Sequence, residues 1–156
     1  MSIADIGQIL ASTKQIGGDP IETAVAKAYL AKHVDDFDTV QFNVGLGPGV
    51  TLPYGTPDYV QKCASASGRL RADMICYAGN TATIVEVKDR IYAAVMGQLL
   101  AYWHLLKDDN PQLLQVYKVA AGQSIMVGLT PVLQTYGISV ELFPGVWVPP
   151  YVNPST

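Results

Sequence analysis

The chain has 156 residues, with 10 Lys and Arg against 13 Asp and Glu, a net charge of −3 and a pI near 5.1; this excludes a broad cationic surface that would bind nucleic acid by charge alone. Charged residues are only 15% and mean hydropathy is +0.21, so one core can form without disulfides and part of the apolar surface is expected to be covered by another subunit or partner. Cys63 and Cys76 make no CxxC pair and have no His at metal-ligand spacing, which excludes a thiolate zinc site and fits unpaired thiols in a reducing compartment.

The opening MSIADIGQIL lacks the cationic start and long apolar run of a signal peptide, and Ile3, Ile6, Ile9 and Leu10 predict a short helix over 3–15, stopped by Gly17-Gly18. Asp19-Pro20-Ile21-Glu22 reads as a second helix start, with Asp as N-cap and Pro in the first helical position. That helix should run to about His33 and bury Ile21, Val25, Ala28 and Tyr29. Glu22 has two readings at this stage, as half of a capping box or as a carboxylate turned toward a site. Asp35, Asp36 and Asp38 lack the spacing of a calcium loop and read as a solvated connection. Thr39 to Val44 alternates and predicts a strand. From Gly45 to Tyr59 the chain is dense in Gly and Pro; its weak likeness to a dinucleotide loop fails at Pro48, leaving a connection long enough to close over a substrate. Tyr59 to Ala66 is open between a short strand and a helical turn.

The stretch Arg69 to Lys88, RLRADMICYAGNTATIVEVK, carries the chemistry. Two β-rich runs flank Gly79-Asn80, the signal of a tight hairpin. With the turn centred on that pair, opposed residues have numbers summing to 159, which sets Asp73 opposite Glu86 and Arg71 opposite Lys88. Period-two alternation puts these four on one face, with Ile75, Tyr77, Ala82 and Ile84. The other face takes Ala72, Met74, Cys76, Thr83, Val85 and Val87, so the sheet should be covered by helices on both sides. Two adjacent carboxylates repel and call for a cation; Mg²⁺, with oxygen ligands and retained waters, suits them, and Mn²⁺ would substitute. Lys88 adds a fixed positive charge, so the cluster suits an anionic substrate and an activated water. Arg71, and Arg69 further out, either form structural salt bridges or meet a phosphate.

Asp89 to Lys107 predicts the strongest helix, capped by Asp89 and ended at Asp108-Asp109-Asn110-Pro111, with Ile91, Val95, Leu99, Tyr102 and Leu106 as its apolar stripe. Ile91 to Leu106 is too short and too interrupted by Gln98 and His104 to span a membrane. Gln98 and Tyr102 share a face, and a buried Gln needs a partner. His104 is a lone histidine with a core or surface role. Gln112 to Ala121 is open between helix and strand. Ser124 to Leu129 predicts a buried strand, Pro131 to Tyr136 a turn or helix, and Ile138 to Phe143 an edge strand. Pro144 onward, with Trp147, Tyr151 and four prolines, predicts an extended tail suited to packing on a neighbour. The expected organisation is a single domain over 1–143 and a tail over 144–156.

Asp73, twelve intervening residues, then Glu86-Val87-Lys88, resembles the signature of the PD-(D/E)XK nuclease superfamily, and Gln98-Leu99-Leu100-Ala101-Tyr102 resembles the Gln-x-x-x-Tyr helix of one of its branches. Ala72 stands where the named Pro would be. The resemblance covers about residues 17 to 107 and implies an α/β restriction-endonuclease-like sandwich, a mixed central sheet flanked by helices with an αβββαβ core. It further implies a Mg²⁺-dependent deoxyribonuclease: Asp73, Glu86 and the Val87 carbonyl hold metal, and Lys88 orients or helps deprotonate a water. Gln98, Tyr102 and Glu22 support the site, and Arg69 and Arg71 contact the DNA backbone. The expected setting is cytoplasmic and away from membranes, as a homo-oligomer or part of a larger assembly. The alternative is a non-catalytic structural or assembly subunit with the same fold, in a DNA-handling complex or a viral particle, where it would be virion-associated.

Overall fold

A computed structural model describes residues 19–49, 51–67 and 69–147. The predicted helix over 3–15 and the tail from 148 on, Tyr151 included, lie outside the described residues. Asp19 is extended and its Oδ1 accepts the amides of Ile21 (2.7 Å) and Glu22 (3.2 Å), with Pro20 in the first helical position, so α1 runs Pro20–Lys32 as its cap dictates. Then follow β1 (Thr39–Leu46), α2 (Asp58–Ser67), β2 (Leu70–Ala78), β3 (Thr81–Ile91), α3 (Ala94–Asp109), β4 (Gln115–Ile125), α4 (Leu129–Thr135) and β5 (Ile138–Leu142). The stretches left open at 59–66 and 112–121 are thus largely helix and strand respectively.

The five strands form one sheet in the order β1-β2-β3-β4-β5. The β1/β2 and β2/β3 pairs are antiparallel, whereas β3/β4 and β4/β5 are parallel, each parallel step crossing through a helix. This is the expected mixed central sheet flanked by helices; the αβββαβ core is α1-β1-β2-β3-α3-β4, with α2 inserted between β1 and β2 and α4-β5 added after it. α1 covers one face, packing Val25, Ala26, Tyr29 and Leu30 on Met74, Cys76, Val85 and Val87. α3 and α4 cover the other, with Val95, Leu99, Tyr102, Leu106, Leu129 and Leu133 over Ile75, Ala82 and Ile84. Among the described residues no helix is long and apolar enough to cross a membrane.

Three expectations need correction. β3 stays paired with β4 through Ile91–Ile125, which holds residues 90 and 91 extended; α3 therefore begins at Ala94, and Asp89 caps nothing but accepts Gln123 Nε2 at 3.0 Å. The strand expected over 124–129 ends at Ile125, because Gly128 turns the chain with φ 81° and Leu129 opens α4, whose Pro131 sits in the first turn where its missing N–H is harmless. Ala72 does not share a face with Met74 and Cys76; it packs on the α3 side.

That last change is a joint event in two strands. In β1, Val40 and Phe42 face α1 but Val44 and Leu46 face α3, and the switch falls at Asn43, a non-glycine with φ 51°. Asn43 lies between the Phe42–Met74 and Val44–Ala72 pairs, level with Asp73. Asn tolerates this left-handed conformation better than residues without a short polar side chain. Asn43→Ala should therefore cost about 1 kcal/mol in urea unfolding, whereas Asn43→Gly should be near neutral.

Candidate active site

The hairpin register holds for five pairs, from Ala78–Thr81 to Met74–Val85, each summing to 159. Gly79 takes φ 56° in the turn, and its amide donates to Asp38 Oδ2 at 2.8 Å. Alternation makes Ala72–Val87 the next pair that would exchange backbone bonds. There the ladder has ended, and the Val87 amide donates instead to Asp73 Oδ2 at 2.8 Å. The strands part where the motif residues stand, so the carboxylates sit in a fork rather than across a regular ladder.

Glu86 is 2% exposed, yet it is ionisable. Its Oε1 meets Lys88 Nζ at 3.0 Å, while Oε2 is buried without a hydrogen-bond partner. Burial first, then the Asp73 charge, push its carboxyl up to about 7 against the pull of Lys88. Burial alone would lower the Lys88 ammonium, but Glu86, Asp73 and Glu22 outweigh it and leave it raised. Glu22 Oε1 lies 3.8 Å from Lys88 Nζ, and no bond from its side chain closes a capping box. Its pKa is raised by burial, with Lys88 opposing and Asp73, Asp19 and Asp89 adding. The Lys88 and Glu22 side chains are each 28% exposed, so the cluster opens to solvent on their side.

Tyr102 is buried, its hydroxyl pushed up to about 12 by burial, Glu86 and Asp73, with Gln98 and Lys88 opposing. A phenol held neutral beside carboxylates is a donor. Asp73 and Lys88 each act on Glu22, Glu86 and Tyr102, which ties together residues from four elements. The arginines stand apart: Arg71 Nη1 donates to the Asn43 carbonyl at 2.9 Å, and the Arg69 stem packs over Gly45. Both are exposed. The face switch at Asp73 carries Arg71 toward β1, which its strand parity alone did not show.

Gly122 was missed in the sequence. It lies beside Lys88 in the β3/β4 ladder, and a Cβ there would stand 2.9 Å from Ile91 Cγ1 and 3.1 Å from the Lys88 carbonyl oxygen. A glycine inside a strand pattern signals such a close approach.

Among the described residues, no group of three or more His, Cys, Asp or Glu is disposed to hold a metal ion. The donors here are two carboxylates, one with an unpartnered buried oxygen; that set fits a hard cation that keeps most of its waters, as Mg²⁺ does.

No family model matches the chain, and no curated protein does. Among solved structures, the fold is similar to a repair endonuclease from Pyrococcus abyssi, with a TM-score of 0.46, 12% identity, and coverage of 85% of this chain and 50% of that one. It is also similar to a protein of unknown function, AF1548, with a TM-score of 0.44, 10% identity, and coverage of 78% of this chain and 57% of that one. The chain thus spans about half the length of each.

Proposed function

We propose that the chain is a metal-dependent nuclease hydrolysing phosphodiester bonds in DNA. The observation that supports this most is the buried, half-unpartnered Glu86 carboxylate, set beside Asp73 and Lys88 in the strand fork. A structural ion pair would satisfy both Glu86 oxygens; a buried acceptor aimed at nothing fits a site that holds something. Asp73, Glu86 and the Val87 carbonyl would hold Mg²⁺ or Mn²⁺. When bound, such an ion supplies positive charge to a phosphate and lowers the pKa of a coordinated water.

The chain's own residues do the rest. Lys88, with a raised pKa, is an ammonium at neutral pH; it stabilises charge on the phosphate oxygens and orients the attacking water rather than taking its proton. Glu22, partly exposed and raised, is the carboxylate placed to accept that proton. Water oxygen forms the new bond to phosphorus and the ester oxygen leaves. Gln98 and Tyr102, one turn apart on α3, support the carboxylates. Arg69 and Arg71, exposed at the strand entrance, meet the DNA backbone.

Incubation of the protein with linear and circular DNA in Mg²⁺ or Mn²⁺ tests this. Asp73→Ala and Lys88→Ala should each lower the cleavage rate at least about a hundredfold. Cleavage indifferent to both substitutions, or none in any oligomeric state, sinks the proposal.

A second reading is a structural or assembly subunit with this fold, supported by large apolar side chains left exposed, among them Tyr54, Leu114 and Val127. The same assay separates the two, and sedimentation velocity tests the homo-oligomer that both readings accommodate.

A further inference from the structure

At the other end of the sheet two lysines share one indole. Trp103 of α3 donates Nε1–H to the Val116 carbonyl at 3.1 Å, which fixes the ring against β4. Lys107 Nζ stands 4.3 Å and Lys118 Nζ 4.8 Å from the ring centroid. Both ammoniums therefore lie within about 9 Å of each other.

Among the described residues, neither lysine has an ion-pair partner, although Lys32 and Lys88 are both paired with carboxylates. The nearby acids are engaged elsewhere: Asp108 with His104 at 3.3 Å, Asp109 with the Gly47 amide at 3.1 Å. Desolvation, and then the Lys107 charge, lower the pKa of the half-buried Lys118, so its surroundings disfavour the cation as they stand. Gly137 lies beside it, since a Cβ built there would be in ordinary contact with Lys118 Nζ at 3.7 Å. Lys118 pairs with Ile84 in the β3/β4 ladder, four residues before the Lys88–Gly122 level, or roughly 13 Å along the strand. The cluster is therefore separate from the carboxylate site.

Two acids side by side call for a cation; two lysines on one aromatic ring, in a chain of net charge −3, call for an anion. We propose that Lys107 and Lys118, set on Trp103, bind a phosphate-class oxyanion, either the free ion or a phosphate of a polynucleotide chain. The indole holds both ammoniums in place, which reduces the entropy lost when an anion is captured.

Trp103 reports directly on the site. The chain has two tryptophans, and Trp147 meets Gln123 through its backbone amide, so Trp147→Phe isolates Trp103 emission and keeps that contact. The full-length Trp147→Phe protein is titrated in EDTA with inorganic phosphate and, separately, with a mixed-sequence 12-nucleotide single strand, against sodium chloride of equal ionic strength. A saturable emission change is expected. Lys107→Gln and Lys118→Gln should each raise the apparent Kd about tenfold, with Lys118→Arg close to the parent. Saturation by the oligonucleotide at concentrations far below those of phosphate assigns the polynucleotide source; the reverse assigns the free ion. No saturable change with either, or one that chloride reproduces or that survives both Gln substitutions, overturns the proposal. Because no cleavage is measured, that failure leaves the nuclease reading where it stood.

Discussion

Glu86→Gln should abolish DNA cleavage and at the same time make the metal-free protein more stable at pH 8. Glu86 is buried beside Asp73, with its carboxyl pushed up to about 7 from an ordinary 4.5. Because the folded value is the higher one, the folded chain holds that proton between about pH 4.5 and about pH 7 while the unfolded chain releases it. The associated stability is complete below pH 4.5 and is lost as pH rises through 7. At pH 8 the wild-type protein thus carries a penalty on the order of 3 kcal/mol for a buried ionised carboxylate facing another. The amide of Gln keeps an oxygen for Lys88, offers N–H to Asp73 and removes the penalty. Urea unfolding in EDTA across pH 4 to 8 should show wild-type stability falling and the variant flat. Added Mg²⁺ should restore the wild type alone, since a ligand that binds only the folded state stabilises it by mass action. Cleavage should fall by at least about a thousandfold. A variant less stable than wild type at every pH would mean that the Glu86 ion pair serves structure.

Gly122→Ala should damage Lys88 without touching its side chain. A Cβ would press on Ile91 at 2.9 Å and on the Lys88 carbonyl at 3.1 Å, and Ile91 is fully buried with nowhere to retreat. Overpacking of this kind costs about 1–3 kcal/mol. The strain is relieved by moving β3 off β4 at the level of Lys88, which displaces its ammonium relative to Glu22 on α1. A displacement of even a fraction of an ångström should lower kcat by about tenfold or more while KM changes little, measurable on a linear duplex beside the urea midpoint. Equal stability and equal kcat in Gly122→Ala would show that β3 does not need this approach.

Much of the fold was legible because its signals are local. Asp19-Pro20 fixed the start of α1 through one cap and one ring, and Gly79-Asn80 fixed five pairs of the hairpin register. What escaped depends on partners distant in sequence. The start of α3 was misplaced because pairing with β4 keeps residues 90 and 91 extended, and Asp89 by itself looks like a cap. The face switch at Asn43 and Asp73 involves two strands at once, so strand parity misassigned Ala72. At the site, Asp73, Glu86 and Lys88 could be grouped from spacing. The approach of Gly122 could not, since it depends on packing between elements.

The two-residue turn at Gly79-Asn80 is six positions from Asp73, roughly 20 Å along the strand. From the turn to Met74 the side chains of β2 alternate, so one codon inserted beside that turn would slide the strand by a single step and exchange the faces its residues present. Every residue of the cluster would survive in the gene, and the cluster itself would be gone. The length of a remote bend is therefore inherited as strictly as any acid or base in the fork.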